Sequence, residues 1–387
     1  MNTLPFSELV EINPHVKIEK SKEYPFVEMG IVDPGRRYVR TNQNRMFQSG
    51  GAKFLSGDTL FARITPCLEN GKIAQYQDAN GQAGFGSTEF FVFRARPGVS
   101  DSGFVYYLAK SDLIRKPAEK SMSGASGRQR ADIKSIVDLE VPSHPLPIQR
   151  KIATILSAYD DLIENNLRRI KILEEMAQNL YREWFVKFCF PGHEKTRFVD
   201  SPLGRIPEGW EVRELTEFID FERGVEPGSK NYLSQPVENC VPFLRVGDLG
   251  KRTSDLFIKD TFAKGRILTA DDIAITMDGT VGLVSMGLSG AYSSGIRRIV
   301  PKSNCIIGNA FIYLLLQSER IQAIIESHAK GTTIKHASSS IGEMVFVLPD
   351  KTISDIFEEH VGPINNLVLS LGKRNDVLRR TRDLLLP

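Results

Sequence analysis

The sequence predicts an α+β protein built twice: two similar β-rich domains, each followed by a long helix. Three observations predict it. The chain repeats its own pattern in the same order, with PFVEMG (25–30) answered by PFLRVG (242–247). Each copy runs into a long stretch whose apolar residues recur every three or four positions, the period of a helix seam. Between these stretches the chain reads as short β-branched and aromatic runs broken by glycine, the pattern of strands and turns.

Taken in order, the repeat holds along its length. FLSGDTLFARI (54–64) is answered by ILTADDIAITM (267–277), and GFVYYLAKSD (103–112) by AFIYLLLQSE (310–319). GASGRQRADI (124–133) stands where GTTIKHASSSI (331–341) stands, and LEVP and FVLP close the copies at Pro142 and Pro349. Self-similarity of this kind takes precedence over local readings, because missing it mis-assigns the whole fold. Strands are expected at 24–32, 57–64 and 88–96, then at 241–249, 271–277 and 297–301, with one helix per copy near 103–115 and 309–326.

The first long helix has its predicted seam at Ile148, Ile152, Ile155, Tyr159, Leu162, Ile170, Leu173, Ala177, Leu180 and Trp184. Asn166 falls on it, either fixing register, as polar seam residues do, or merely tolerated. The second seam runs Ile353, Phe357, Val361, Ile364, Val368, Leu371, Asn375 and Leu378, ending in Leu384, Leu385 and Leu386. Pro363 either starts a helix or kinks one. Two packings satisfy these stripes. In one, the helices form an antiparallel intramolecular coiled coil, which gives the molecule a pseudo-twofold character. In the other, each packs on its own domain. The boundaries that follow are 1–146 for the first domain and 147–190 for its helix. A lead-in and the second domain take 191–350, and the last helix takes 351–387.

At 387 residues, 41% hydrophobic and 25% charged, the chain is ordinary for two soluble globular domains. A net charge of +3 neither demands nor excludes nucleic acid, since a local basic face disappears in the sum. Cys67, Cys189, Cys240 and Cys305 form no CxxC pair, which argues against zinc or a disulfide framework. The N-terminus shows no signal-peptide pattern and the longest apolar run, AFIYLLL, is too short for a membrane span. A cytoplasmic location is expected.

Catalytic patterns are not found. GVEPGSK (224–230) lacks phosphate-loop spacing, and GFGS (84–87) is too short for a dinucleotide or S-adenosylmethionine loop. No Asn/Asp-Pro-Pro-Tyr tetrapeptide of adenine-type methyltransferases occurs. What does recur is a set of basic, amide-rich loops at matching places. The first copy carries Arg36, Arg37, Tyr38, Arg40, Gln43, Asn44 and Arg45, then Arg63, Arg128 and Arg130. The second carries Arg223, Lys230, Asn231, Tyr232, Arg245, Lys251, Arg252, Arg297, Arg298, Lys335 and His336. Arginine and lysine suit phosphates and the guanine edge, while asparagine and glutamine pair with adenine. Charged loops are also often only solvated, so the paired placement carries more weight than any single residue.

Three segments resemble the specificity subunit of type I restriction-modification systems: PLGRIPEGWEVREL (202–215), residues 145–188 with LSAYDDLIENNLRRIKILEEMAQNLYREWFVKF, and the terminal LRRTRDLLLP. The order of elements fits over essentially the whole chain; only the IPEGW lead-in is missing before the first copy. The resemblance implies two target-recognition domains, each reading one half of a split site in double-stranded DNA. The coiled coil would serve as ruler and dock for two methyltransferase subunits, joined by restriction subunits. The chain itself would bind no cofactor; S-adenosylmethionine, ATP and Mg would belong to the partners. A helix of about 39 residues is roughly 58 Å long, more than the one-turn separation of about 34–36 Å between recognition modules. The aromatic LYREWFVKF (180–188) either docks a partner or packs the helix end on a domain. The competing reading is a two-module interaction protein on a coiled-coil spacer, without DNA specificity.

Overall fold

A computed structural model describes residues 2–387 except Ser126, Arg252, Thr253, Thr332 and Thr333, and the side chain of Lys251. The chain divides into two compact units, residues 1–168 with 372–387, and residues 169–371.

The first unit contains β1 (Thr3–Pro5), β2 (Val10–Ile12), β3 (Glu23–Val27), β4 (Tyr38–Val39), β5 (Asn44–Met46) and β6 (Ala52–Phe54). It continues with β7 (Thr59–Ala62), β8 (Ile73–Tyr76), β9 (Gly84–Gly86), β10 (Phe90–Ala95) and β11 (Glu140–Pro142). One sheet has the order β2-β10-β7-β8-β4 and a second β5-β3-β9-β6, with β1 against β11. The central strands are apolar on both faces because both faces are covered. Phe61, Phe91 and Phe93 pack with Phe104 and Leu108 of α1 (Ser102–Lys110), while Leu60, Phe90, Val92 and Tyr76 pack with Val27 and Phe54 of the second sheet. The glycines of GFGS serve this packing. A Cβ on Gly86 would lie 2.2 Å from the Val27 carbonyl oxygen, so only glycine admits the parallel β3–β9 pairing.

The second unit repeats the plan. Its strands are β12 (Phe198–Ser201), β13 (Gly204–Pro207), β14 (Glu211–Glu214), β15 (Ile219–Arg223), β16 (Cys240–Leu244) and β17 (Phe257–Lys259). Then come β18 (Ile267–Leu268), β19 (Ala274–Thr276), β20 (Val284–Ser285), β21 (Gly290–Tyr292), β22 (Ile296–Pro301) and β23 (Val345–Leu348). The orders β15-β22-β19-β20, β17-β16-β21-β18 and β14-β23 match those of the first unit strand for strand, less one edge strand.

The single helix expected in each copy is two. In the first unit α1 ends at Ser111, whose backbone is extended and whose hydroxyl bonds the Leu108 carbonyl at 2.7 Å, and α2 (Asp112–Lys120) follows. Ser318 breaks the second copy likewise. Asn309–Gln317 ends there, its side chain accepts from the amide of Ile321, and Glu319–Ser327 begins. A serine that caps the next helix competes with continuing the last one.

The long helices are α3 (Leu146–Tyr181), which continues as a π-helical turn to Val186, and α4 (Lys351–Leu384), with Pro363 inside it. The predicted seam of α4 holds at Phe357, Val361, Val368, Leu371 and Asn375, all buried. That of α3 is one residue out of phase over its first half. Ile148, Ile155 and Leu162 are 45–53% exposed, whereas Gln149, Ala153, Leu156, Asp160 and Ile163 are buried. The apolar row that suggested the seam lies beside it, and the true seam carries polar residues. Trp184 and Phe185 are buried with Trp210, Phe311 and Phe357 in the second unit, so the aromatic helix end packs on its own domain. Among the described residues no helix is long and apolar enough to cross a membrane.

Candidate nucleic-acid interface

The turn after β3 carries the first basic group, and the structure separates its members. Arg36 is exposed and pairs with Asp33 at 3.4 Å. Arg37 turns inward. It donates from Nε and Nη2 to Gln75 Oε1 at 3.2 and 3.0 Å and lies over the rings of Tyr38 and Tyr107. Arg40 donates to Gln77 and to Glu164 of α3 at 2.8 and 2.7 Å. Burial raises the Glu164 carboxyl, but Arg168 and Arg40 outweigh it and hold it below the ordinary range. Both Arg37 and Arg40 are therefore committed to holding the turn against the domain and helix.

Gln43, Asn44 and Arg45 lie together on or beside the exposed edge strand β5. Arg45 is 3.8 Å above the ring of Phe26, with Glu28 at 3.5 Å. Arg63 and Arg130 meet around Glu89. Arg130 grips that carboxylate with both arms at 2.6–3.0 Å, and its hydrogen bonds hold Glu89 below the usual carboxylate range against the opposing effect of burial. Arg63 lies over Phe91, its Nε buried without a partner among the described residues. The bridge between Ser123 and Arg130 closes a short loop, and Arg128 stands on it, exposed.

In the second unit the bridge between Lys330 and His336 closes the equivalent loop. His336 Nδ1 is 2.7 Å from Asp278 at its root, in the role Glu89 has for Arg130, and Lys335 is exposed beside it. Arg223 bonds the Ser294 carbonyl at 3.3 Å. Arg245 pairs with Asp248, Asn231 bonds the Pro227 carbonyl, and Tyr232 packs 5.3 Å from Phe243. Arg298 is held by Glu222 at 2.9 Å. Arg297, expected at the surface, is buried. Its guanidinium bonds the Ser294 carbonyl and Ser338 Oγ, and burial pulls its pKa down. Arg252 and the side chain of Lys251 lie outside the described residues. Among the described residues, Asn44, Arg128, Lys230 and Lys335 have no hydrogen-bond or ion-pair partner for their side chains.

Two units of one topology thus each present a bridged, carboxylate-anchored loop with a free cation, and a family model meets them both. The model for the type I restriction modification DNA specificity domain matches residues 10–175 and again residues 207–366. The chain belongs to the type I restriction-modification DNA specificity family. Each match runs through a domain and well into the long helix behind it, so the family's repeating unit is domain plus helix. The chain is 28% identical over 301 residues to the type I restriction enzyme MjaIX specificity subunit of Methanocaldococcus jannaschii, covering 74% of this chain and 67% of that protein. It is 24% identical to the HindI specificity subunit of Haemophilus influenzae, covering 86% and 85%. The solved S subunit of the type I system from M. genitalium covers all of this chain and 94% of that one, with a TM-score of 0.54 and 17% identity, a likeness of fold.

Within these specificity domains, sequence reading missed the carboxylates. Glu89 and Asp278 organise the two loops, and Glu222 gathers Arg266, Arg298 and the Tyr292 hydroxyl. The available signal was an acidic residue at a strand boundary in each copy, which carries little weight without the fold. The exposed apolar residues were missed as well: Met46 on β5 and Ile334 on the second loop are each 55% exposed.

Proposed function

We propose that this chain is the DNA-reading subunit of a type I restriction-modification complex and itself makes or breaks no bond. Each domain reads one half of an asymmetric, bipartite site, and the two long helices set the spacer between the halves. Methyltransferase subunits, which take S-adenosylmethionine to adenine, dock on the chain, and ATP-using restriction subunits join them. The observation that carries this reading is the double match to the specificity family on two units of matching strand order, less one edge strand, whose equivalent loops differ in chemistry. The same scaffold with different side chains reads different bases. The readers we assign are the exposed members: Arg36, Gln43, Asn44, Arg45 and Arg128 in the first domain, with Arg223, Lys230, Arg245 and Lys335 in the second. Arg37, Tyr232 and Arg297 act as framework.

Antiparallel helix pairing is supported inside the first unit, and contact between the same helices inside the second. Asn166 meets Asn375 and Asp160 meets Arg382 in one, while Trp184 and Tyr181 meet Phe357 in the other. In the first unit residue numbers fall on α4 as they rise on α3. The exposed row Ile148, Ile155 and Leu162 on α3, seven residues apart, supports docking of a partner on the outer helix surface.

The test is genomic methylation mapping in cells carrying this chain with a modification partner. A split, asymmetric motif methylated on adenine in both halves, lost when this chain alone is deleted, is expected. Loss of no motif overturns the reading.

A further inference from the structure

The second sheet of the first domain carries a rung of aromatic rings topped by cations. Phe26 on β3 and Phe85 on β9 are opposite partners with ring centroids 5.0 Å apart, and Phe47 lies 5.2 Å from Phe85. Arg45 lies over Phe26 at 3.8 Å, and Lys53 on β6, paired in register with Phe85, lies over Phe47 at 5.0 Å. Two cations, one on each outer strand of this sheet, are thus held on π-surfaces of one face, which orient them without discharging them.

Arg45 is further fixed sideways. With its amide oxygen turned toward the guanidinium, Gln43 accepts from Nε and Nη2 at 3.3 and 3.1 Å, and Glu28 stands at 3.5 Å from Nη2. Nη1 has no partner among the described residues, and a planar two-acceptor ligand that displaces the long 3.5 Å Glu28 contact from Nη2 meets the Nη1–Nη2 edge. Asn44 and Met46 flank it, and every residue of β5 is exposed.

The second domain shows what this face looks like when it is closed. There Phe243 takes the place of Phe26 and Ala291 that of Phe85, in the same parallel pairing. Phe243 is fully buried beneath Tyr232, in a cluster with Val225, Ile258 and Ala263. The edge strand β17 is itself bridged by Leu233, whose backbone exchanges bonds of 2.9 and 2.8 Å with Phe257. Among the described residues strand β5 has β3 as its one sheet neighbour.

We propose that this open face is a base-reading surface of the first domain, resting on the DNA-reading function above. Arg45 presents its Nη1–Nη2 edge, released from the long Glu28 contact, to O6 and N7 of a guanine in one half-site, and Lys53 takes a neighbouring phosphate. Phe26 is a positioning residue for Arg45. A bidentate arginine–guanine contact is the commonest specific one in the major groove, whereas a lysine on phosphate adds affinity without sequence information.

The test is selection of a random duplex pool by the full-length chain, followed by sequencing and salt titration. Wild-type chain is expected to enrich two separated blocks. Arg45→Ala and Arg45→Lys should relax a single guanine position in one block by roughly fivefold to a hundredfold, leaving the other block and the spacing intact. Lysine keeps a cation over Phe26, so relaxation by Arg45→Lys reports the lost fork and not lost folding. Lys53→Ala should weaken all sequences alike and lower the slope of log affinity against log salt by about one. Unchanged blocks with both Arg45 variants, or uniform weakening, would overturn the inference and leave the DNA-reading function standing. An unchanged slope with Lys53→Ala would remove the phosphate contact. If the wild-type chain enriches nothing, the DNA-reading function fails and takes this inference with it.

Discussion

The same two helices are joined by opposite chemistry in the two units. In the first, the contact between α3 and α4 is polar. Asn166 donates to Asn375 at 2.9 Å, and buried Arg382 donates to Asp160 at 2.5 Å while the Tyr107 hydroxyl donates to the other carboxylate oxygen at 2.6 Å. In the second, Tyr181, Trp184 and Phe185 meet Phe357 and Phe311 with no charge between them. Aromatic packing gives area and tolerates small slips. A buried ion pair adds little net energy over a well-packed apolar pair but penalises any misalignment heavily. The first unit therefore holds register and the second holds adhesion.

The sharpest way to break this comparison is to cut the ion pair. Asp160→Ala or Arg382→Ala leaves a buried charge unpaired and should cost about 3–5 kcal/mol. Replacing both, as Asp160→Leu with Arg382→Met, should restore most of that loss. Phe357→Ala in the other unit should cost a similar 3–5 kcal/mol through its cavity, with no such rescue available. Hydrogen exchange locates each effect. Loss of protection is expected in residues 100–120 and 372–387 for the ion-pair variants, and around residues 181–190 and 306–316 for Phe357→Ala. An Arg382→Ala chain as stable as wild type would show that the ion pair is idle.

This contrast also explains what could be read from the sequence. The duplication was legible because strand periodicity and glycine spacing survive in both copies: β3 and β16 lie in the matched PF segments, and α1 in the matched 103–112 segment. The α4 seam was legible because Phe357, Val361, Val368 and Leu371 are all apolar. The first half of the α3 seam was not, because its buried positions include Gln149 and Asp160 while Ile155 and Leu162 face out; Asn166, Ala177 and Trp184 farther along are buried as expected. Buried polar residues invert the hydrophobic signal on which periodicity relies. For the same reason Arg297 read as a surface cation, when its partners are backbone carbonyls and Ser338, which no local pattern announces. The exposed Arg128 and Lys335 were legible from loop composition alone, because nothing in the fold claims them.

The polar character of the first unit extends to Lys110, and pH probes it. Burial, then the nearby Arg382, pushes its amine down from 10.5 to about 8, against the opposite pull of Asp383 and Asp160, while Nζ donates to the Pro34 carbonyl at 2.9 Å. Below pH 8 the amine is charged in both folded and unfolded chains and the burial penalty is fully felt. Between 8 and 10.5 the folded chain has lost the proton and the unfolded chain still holds it, so this group makes stability rise with pH. The rise amounts to at most about 3 kcal/mol. Buried Tyr106 and Tyr107, whose hydroxyls are raised, oppose it at the alkaline end. The difference between wild type and Lys110→Met isolates the effect: it should shift in favour of wild type from pH 7.5 to 9.5. A flat difference would mean that Lys110 stays charged in the fold.

The smallest effect is the most informative about register. Asn166 donates to Asn375 Oδ1, but Asn375 Nδ2 has no partner among the described residues, so the pair is half satisfied. A single change to leucine strands the remaining amide and should cost about 1–3 kcal/mol. Changing both should be close to neutral, or stabilising by about 1 kcal/mol, since two leucines fill a seam layer without desolvating amides. What the double variant should lose is uniqueness. With the asparagine layer gone, a slip of α4 along α3 is opposed in this unit chiefly by Arg382 on Asp160. Cysteines placed across the seam, crosslinked in register and one heptad out, read this directly. Wild type should crosslink only in register, the asparagine-free chain in both, and adding Arg382→Met with Asp160→Leu should widen the out-of-register fraction further. If the asparagine-free chain crosslinks only in register, the layer is tolerated and does not specify the pairing, and the ion pair alone sets the alignment.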